Sequence, residues 1–207
     1  MLKPQDIVIL LNILSIMTLS KGLSLEELTQ NELAGLLCMS PSEVNAGIKR
    51  LVLSGLLGPV QRSNRLVFLP IKAAAEECLI SGVKYFFPVQ LGAYTRGIPT
   101  SYAAPIFEKL IVLGDDPLPI WPYGEGNQRG VALEPLYRSV PQSLAKYPDQ
   151  LFYEMLVLVD AIRTGRVRER SIAIKLLKEI IHGKQQKNAG NVEFSSPRAC
   201  SEKVGKS

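Results

Sequence analysis

The sequence has few of the residues that build disulfide or metal frameworks. Among 207 residues there are three cysteines, Cys38, Cys78 and Cys200, and one histidine, His182. Three cysteines at these positions give neither a disulfide framework nor the paired spacing of a metal site. Since structural disulfides persist in oxidising compartments, their absence here predicts a cytoplasmic location.

Long apolar runs and a secretion signal are also missing. A membrane-spanning helix needs about 18 or more consecutive apolar residues, and residues 7–17 form a shorter stretch that Asn12 interrupts. The first six residues contain neither a basic region nor a small-residue cleavage site. We therefore predict neither a membrane span nor a signal peptide.

Catalytic signatures are scarce. A Ser/His/Asp or Cys/His arrangement would need His182, which is expected at a helix end, where it would interact with the helix dipole. No Walker-type loop or Rossmann fingerprint occurs, because Gly-Glu-Gly at residues 124–126 is too short a match and follows no predicted strand. Asp115 and Asp116 are more typical of a turn than of a metal site. We predict a protein that is not an enzyme and has no cofactor.

The most informative segment runs from Thr29 to Pro70 and contains two helix-start signals. Thr29 precedes Glu32, and Ser40 precedes Glu43, in the spacing of the capping box. The two signals lie about eleven residues apart, which leaves a turn of three or four residues. This spacing is typical of a helix-turn-helix.

A β-hairpin is predicted directly after the second helix. Two short apolar runs, Leu56–Val60 and Leu66–Leu69, flank a polar loop that contains Arg62 and Arg65. The order helix, turn, helix and hairpin is typical of a winged helix-turn-helix, a module that places one helix in the DNA major groove.

Residues 4–82 resemble the winged-helix domains of bacterial MarR-type and related transcriptional regulators. The resemblance rests on Glu32-Leu33-Ala34, on Met39–Val44 and on Arg50–Leu57. It implies that the helix matching Pro41–Ser54 is the recognition helix. MarR regulators dimerise through helices on both sides of this domain, and here almost no chain precedes the first expected helix. Their dimer arrangement and effector pocket are therefore not transferred to this chain.

We predict that this module binds double-stranded DNA as a homodimer and regulates transcription. Small and polar side chains of the second helix would face bases, and arginines would contact phosphates or the minor groove. The predicted DNA-binding residues are Ser40, Ser42, Asn45, Ala46, Lys49, Arg50, Arg62, Asn64 and Arg65. The net charge is +5, but residues 1–82 hold seven basic and seven acidic residues. These few residues must therefore supply the contact.

Two alternatives belong to other functional classes. A winged-helix adaptor or antitoxin-like subunit would dock on a protein partner, which the zero net charge of residues 1–82 favours. A small enzyme would act on a phosphorylated ligand near Arg96 and Arg129.

The segment 83–148 contains nine of the fourteen prolines together with scattered aromatic residues. Proline opposes long helices and central strands, so we predict an ordered but irregular arm. Arg96 and Arg129 fall in expected loops, where they either act in function or anchor the loops through carbonyls or carboxylates.

Helices are further expected at Pro4–Leu19, at Ile71–Ser81 closed by Gly82, and in a C-terminal hairpin. Four arginines between residues 163 and 170 form either a phosphate- or partner-docking patch or a solvated turn paired with acids. The predicted fold is mainly α. It comprises a winged helix-turn-helix domain at 1–82, an irregular Pro/aromatic-rich arm at 83–148, a helical hairpin with a candidate dimerisation surface at 149–183 and a disordered basic tail at 184–207.

Overall fold

The computed structural model describes residues 1–19, 29–62, 65–112, 114 and 116–183. It is mainly α. The helices are α1 Pro4–Leu19, α2 Gln30–Leu36, α3 Pro41–Leu53, α4 Lys72–Glu77, α5 Val83–Phe86, α6 Val140–Lys146, α7 Gln150–Thr164 and α8 Val167–Ile181. The strands are β1 Leu57–Arg62, β2 Arg65–Pro70, β3 Leu91–Pro99, β4 Pro119–Pro122 and β5 Gln128–Leu133. The predicted tail at 184–207 lies outside the described residues.

Helix α1 is the centre of the molecule. Every residue from Asp6 to Ser15 is buried, as expected for a helix that is apolar around its whole circumference. It packs against α3, α7, α8 and β2. The predicted bounds of α1 are confirmed, and the helix organises the elements that follow it.

Helices α1 and α3 approach each other closely at a glycine. A Cβ atom on Gly47 would lie 2.4 Å from Cδ1 of Ile9, so a larger residue would separate the two helices. The capping boxes expected at the starts of α2 and α3 are both present, with Thr29 and Ser40 as the N-caps. Strands β1 and β2 then form an antiparallel hairpin in which Leu57 lies opposite Pro70.

The helix after this hairpin is longer than predicted. Residues Cys78–Gly82 form a π-helical turn that joins α4 to α5, so the expected end at Gly82 is wrong. Gly82 has a right-handed helical φ of −92°, and the continuation to Phe86 buries Val83 completely.

The expectation of an irregular arm at 83–148 is also wrong in part. Strands β3, β4 and β5 close into a three-stranded barrel in which β3 is antiparallel to both others and β4 is parallel to β5. Pro99 ends β3, and Pro119 and Pro122 begin and end β4. Proline is tolerated at such ends because its missing N–H removes few ladder hydrogen bonds.

A buried carboxylate ties the barrel to α7. Asp160 accepts hydrogen bonds from Thr100 Oγ1 at 2.9 Å, from Trp121 Nε1 at 2.6 Å and from Arg163 at 2.7 Å. Arg163 also donates to the carbonyl of Phe87 at 2.8 Å. Two side chains of α7 therefore hold the barrel segment: Asp160 accepts from Thr100 and Trp121, and Arg163 donates to the chain that precedes β3.

The C-terminal helical hairpin is confirmed as α7 and α8, which pack against each other. Asp149 caps α7, accepting from the N–H of Phe152 at 2.9 Å, and also accepts from Ser15 of α1 at 2.8 Å. Most residues of α7 are buried, because the helix packs against α1, α5 and α8 and contacts the barrel through Tyr153 and Asp160. No helix in the described part of the chain is long and apolar enough to span a bilayer.

Candidate nucleic-acid interface

One face of α3 is open to solvent. Ser42 and Lys49 are exposed, and Asn45 and Ala46 are half-buried beside them. On the opposite face Val44, Gly47 and Leu51 are buried. Helical periodicity therefore brings four of the predicted base-facing residues onto one accessible stripe.

Ser40 caps the N-terminus of that stripe. Its hydroxyl oxygen accepts from the N–H of Glu43 at 3.2 Å, and the Glu43 carboxylate accepts from the N–H of Ser40 at 3.0 Å. Both side chains are thus engaged in the local cap, although Ser40 remains exposed. Ser42 Oγ lies 3.4 Å from Ser40 Oγ.

Arg50 lies apart from the exposed stripe and is bound within the chain, and its predicted phosphate contact stays a prediction. Its guanidinium donates through Nε and NH2 to the two carboxylate oxygens of Asp6 at 2.7 and 2.6 Å. Asp6 is fully buried, and only 21% of the Arg50 side chain is exposed. The Asp6 carboxylate raises the pKa of Arg50. The two hydrogen bonds lock α3 onto α1. Asp6 is an acid at the start of an apolar helix, and acids are rarely buried unless they are paired. This residue was the feature of the sequence that could have indicated a buried partner for Arg50.

The backbone of the β-hairpin brings positions 62 and 65 directly opposite each other at its end. This places the backbone of the two predicted arginines at the tip, paired across the two strands. Asn64 and the side chains of Arg62 and Arg65 lie outside the described residues, so their predicted DNA contacts stay predictions.

A segment distant in sequence supports the turn between α2 and α3. Ser139 donates its hydroxyl to the carbonyl of Leu37 at 2.7 Å, and the Tyr137 hydroxyl donates to the Glu43 carboxylate. The hydrogen bond from Tyr137, followed by those from Ser40, lowers the pKa of Glu43 to about 2. Within the turn, Cys38 has a φ of 51°, a left-handed conformation that is rare outside glycine.

The same segment adds two cations that sequence reasoning missed. The exposed Arg138 acts electrostatically on Glu43, and its guanidinium carbon lies 6.0 Å from the centroid of the Tyr137 ring. The exposed Lys146 on α6 acts electrostatically on Cys38 in the α2–α3 turn. Both cations lie about a hundred residues from α3 along the chain, so no local pattern could have placed them there.

The four clustered arginines are mostly engaged within the molecule. Arg163 binds Asp160, Arg166 pairs with Asp116 at 2.9 Å, and Arg170 donates to the carbonyl of Gly165 at 3.1 Å. These contacts favour the interpretation of a paired turn over a docking patch.

Comparisons with models of known protein families, with characterised proteins and with solved structures find no match to this chain. The functional assignment therefore depends on the geometry and chemistry of the chain itself.

Proposed function

We propose that this protein is a cytoplasmic bacterial transcriptional regulator that binds double-stranded DNA through α3. The observation that carries the proposal is the accessible stripe of Ser42, Asn45, Ala46 and Lys49, backed by a face that packs on α1. Serine, asparagine and lysine can bond base edges or phosphates, and alanine leaves room for close approach. The order of α2, turn, α3 and hairpin supports a winged helix-turn-helix arrangement.

The charges around α3 support the same proposal. Lys49 on the stripe, Arg138 beside the helix start and Lys146 beside the turn are all exposed cations. Glu43 is the opposing acid at this end, and Tyr137 and Ser40 already bind its carboxylate. A local group of cations can bind phosphates even where the domain as a whole is neutral.

Dimerisation is part of the proposal, because one short stripe supplies few contacts. Two copies would present their α3 helices about 34 Å apart, one turn of DNA. Helix α7 is buried within the protomer, so the outer face of α8, where Val167 is 79% exposed, is the part of the hairpin left to supply the dimer contact.

Fluorescence anisotropy with a labelled duplex selected from a random-sequence pool tests the proposal. We expect Lys49→Gln and Arg138→Gln each to weaken binding and to reduce the slope of log affinity against log salt by about 0.9, the release from one phosphate. Lys109→Gln, an exposed lysine outside α3, α6 and α8, is the matched control and should change neither quantity. If all three variants bind the duplex with the affinity and salt slope of the wild type, the proposed role of α3 is contradicted.

A docking adaptor is the second candidate, and one observation favours it. Leu53, at the end of the same α3 stripe, is 85% exposed, and Leu66 on β2 is 58% exposed. Exposed apolar side chains close to a polar stripe are typical of protein interfaces. A stable one-to-one complex with a purified partner, lost in Leu53→Asp and accompanied by no retention on DNA, would decide for this function.

A further inference from the structure

The β3–β5 ladder carries two like charges directly opposite each other. In the antiparallel register Arg96 pairs with Arg129, two positions along from the pair of Tyr94 and Val131. These arginines were expected in loops, and the structure instead brings them together from 33 positions apart. Like charges directly opposite each other destabilise a strand pair, so an anion bound between them would relieve a repulsion built into the barrel.

Both arginines point away from the barrel interior. A Cβ atom built on Gly97 or Gly130 would lie 1.8 or 2.0 Å from a backbone carbonyl oxygen across the barrel, so these two positions face inward. Successive residues of a strand point to opposite faces. Arg96 and Arg129 therefore face outward, where both are exposed.

The pair has no internal counter-ion in the part of the chain that the structure describes. The ion pairs there involve other cations, and Arg166 shows that an exposed arginine of this protein does find an acid, Asp116. Glu125, in the turn between β4 and β5, instead accepts a hydrogen bond from the Tyr123 hydroxyl at 3.3 Å. The two guanidinium groups are therefore available to an external ligand.

An aromatic ring lies next to the pair. Tyr94 is two residues before Arg96 on the same outward face and is 66% exposed. Residues two apart on a strand are separated by about 7 Å. An exposed tyrosine can stack on a nucleobase, and guanidinium groups match the geometry of phosphate oxygens.

We propose that this face binds a nucleotide, with its phosphate between Arg96 and Arg129 and its base stacked on Tyr94. Opposed Cβ atoms in an antiparallel pair lie about 5 Å apart, close enough for both side chains to reach one phosphate. The ligand is a free nucleotide or one nucleotide of a single strand. The site is separate from α3 and does not depend on duplex binding there.

Isothermal titration of the full chain tests this site with adenosine monophosphate, inorganic phosphate and a ten-residue oligothymidylate. We expect saturable binding of adenosine monophosphate that is weakened at least about tenfold in Arg96→Gln/Arg129→Gln, because two charge-assisted contacts are lost. Tyr94→Ser should weaken adenosine monophosphate and leave inorganic phosphate unchanged. Arg168→Gln is the control for loss of an exposed positive charge.

The remaining outcomes identify the source of the nucleotide or overturn the site. Tighter binding of the oligothymidylate, lost in the double variant, identifies a strand as the source, and binding of the mononucleotide alone identifies a free nucleotide. Equal affinity in the wild type and the double variant, with matching circular dichroism spectra, would overturn the site, as would no saturable binding of either ligand to the wild type. Lys49→Gln should bind adenosine monophosphate normally even if it loses duplex DNA.

Discussion

The arginine of α3 and the arginines of the barrel use their charges in opposite ways. Arg50 gives two hydrogen bonds to Asp6, a fully buried acid on α1. Arg96 and Arg129 face each other across two strands and find no carboxylate within the described residues. The comparison shows that the element behind a cation decides its role. A buried acid behind Arg50 makes this arginine part of the core. Within the described residues no such acid pairs with Arg96 or Arg129, so their guanidinium groups stay accessible.

The largest expected effect comes from breaking the α3 side of this comparison. Arg50→Ala leaves Asp6 buried without its cation, which costs about 3 kcal/mol, the lower end for such pairs because Arg50 is partly exposed. Urea unfolding measures the loss. Lys49→Ala, the exposed neighbour, should stay within about 0.5 kcal/mol of the wild type. Similar midpoints for the two variants would show that the Asp6–Arg50 pair does not hold α3.

A smaller loss is expected from breaking the barrel. Gly97→Ala forces a methyl group to within 1.8 Å of a backbone carbonyl oxygen that cannot rotate away. We expect a loss of about 2 kcal/mol, together with loss of nucleotide binding, because the strand that positions Arg96 must shift. Gly124→Ala, where an added Cβ would meet nothing within 4 Å, is the control. Thermal unfolding at equal concentrations would reveal an unaffected barrel.

The hydrogen bond between Tyr137 and Glu43 at the start of α3 should make stability depend on pH. Tyr137→Phe removes the main cause of the low pKa of Glu43, so that pKa should rise from about 2 toward its ordinary value. A folded-state pKa that is lower than the unfolded value of about 4.3 stabilises the protein at pH values above 4.3. This stabilisation is lost as the pH falls toward 2. The stability difference between the wild type and the variant should therefore be complete near pH 6 and be lost as the pH falls through about 2.

Titration of the Glu43 side chain by NMR checks this directly. Tyr147→Phe, which alters a tyrosine near Lys146, is the matched control and should leave the Glu43 titration unchanged. An unaltered Glu43 pKa in Tyr137→Phe would contradict the hydrogen bond that links Tyr137 to the start of α3.

The smallest expected effect comes from reversing one charge of the Arg96–Arg129 pair. Arg129→Glu places an acid opposite Arg96, and a cross-strand pair of opposite charges should stabilise the protein by about 0.5 kcal/mol in place of the present repulsion. The same variant should lose adenosine monophosphate binding, because the phosphate would now meet a carboxylate. A gain in stability without loss of binding would separate the charge pair from the ligand site.

Local patterns were sufficient for α1, α2, α3, α7 and α8. They were insufficient for the barrel, for α6 and for the continuation of α4 beyond Gly82. The capping boxes at Thr29 and Ser40 predicted the starts of α2 and α3, and the helix expected at Pro4–Leu19 and the C-terminal helical hairpin are also confirmed. The barrel was missed because β4 has four residues and begins and ends with proline. Its strands exist through their pairing with distant segments, a property that no local periodicity records.

The candidate DNA site shows the same division. The stripe on α3 could be read from helical spacing, because residues three and four apart share a face. Helical spacing could not predict the contributions of Tyr137, Arg138 and Lys146. These residues lie about a hundred positions away along the chain from the start of α3 and from the α2–α3 turn.

The sequence by itself determined where α1, α3, α7 and α8 form and which face of α3 and α8 is apolar, because caps and periodicity act within a few residues. Only the tertiary structure decided which cations are free. Arg50 is held because α1 brings a buried carboxylate to it, whereas Arg96 and Arg129 meet because two strands pair across the barrel. Charge pairing depends on distance in space, and that distance is set when the chain packs.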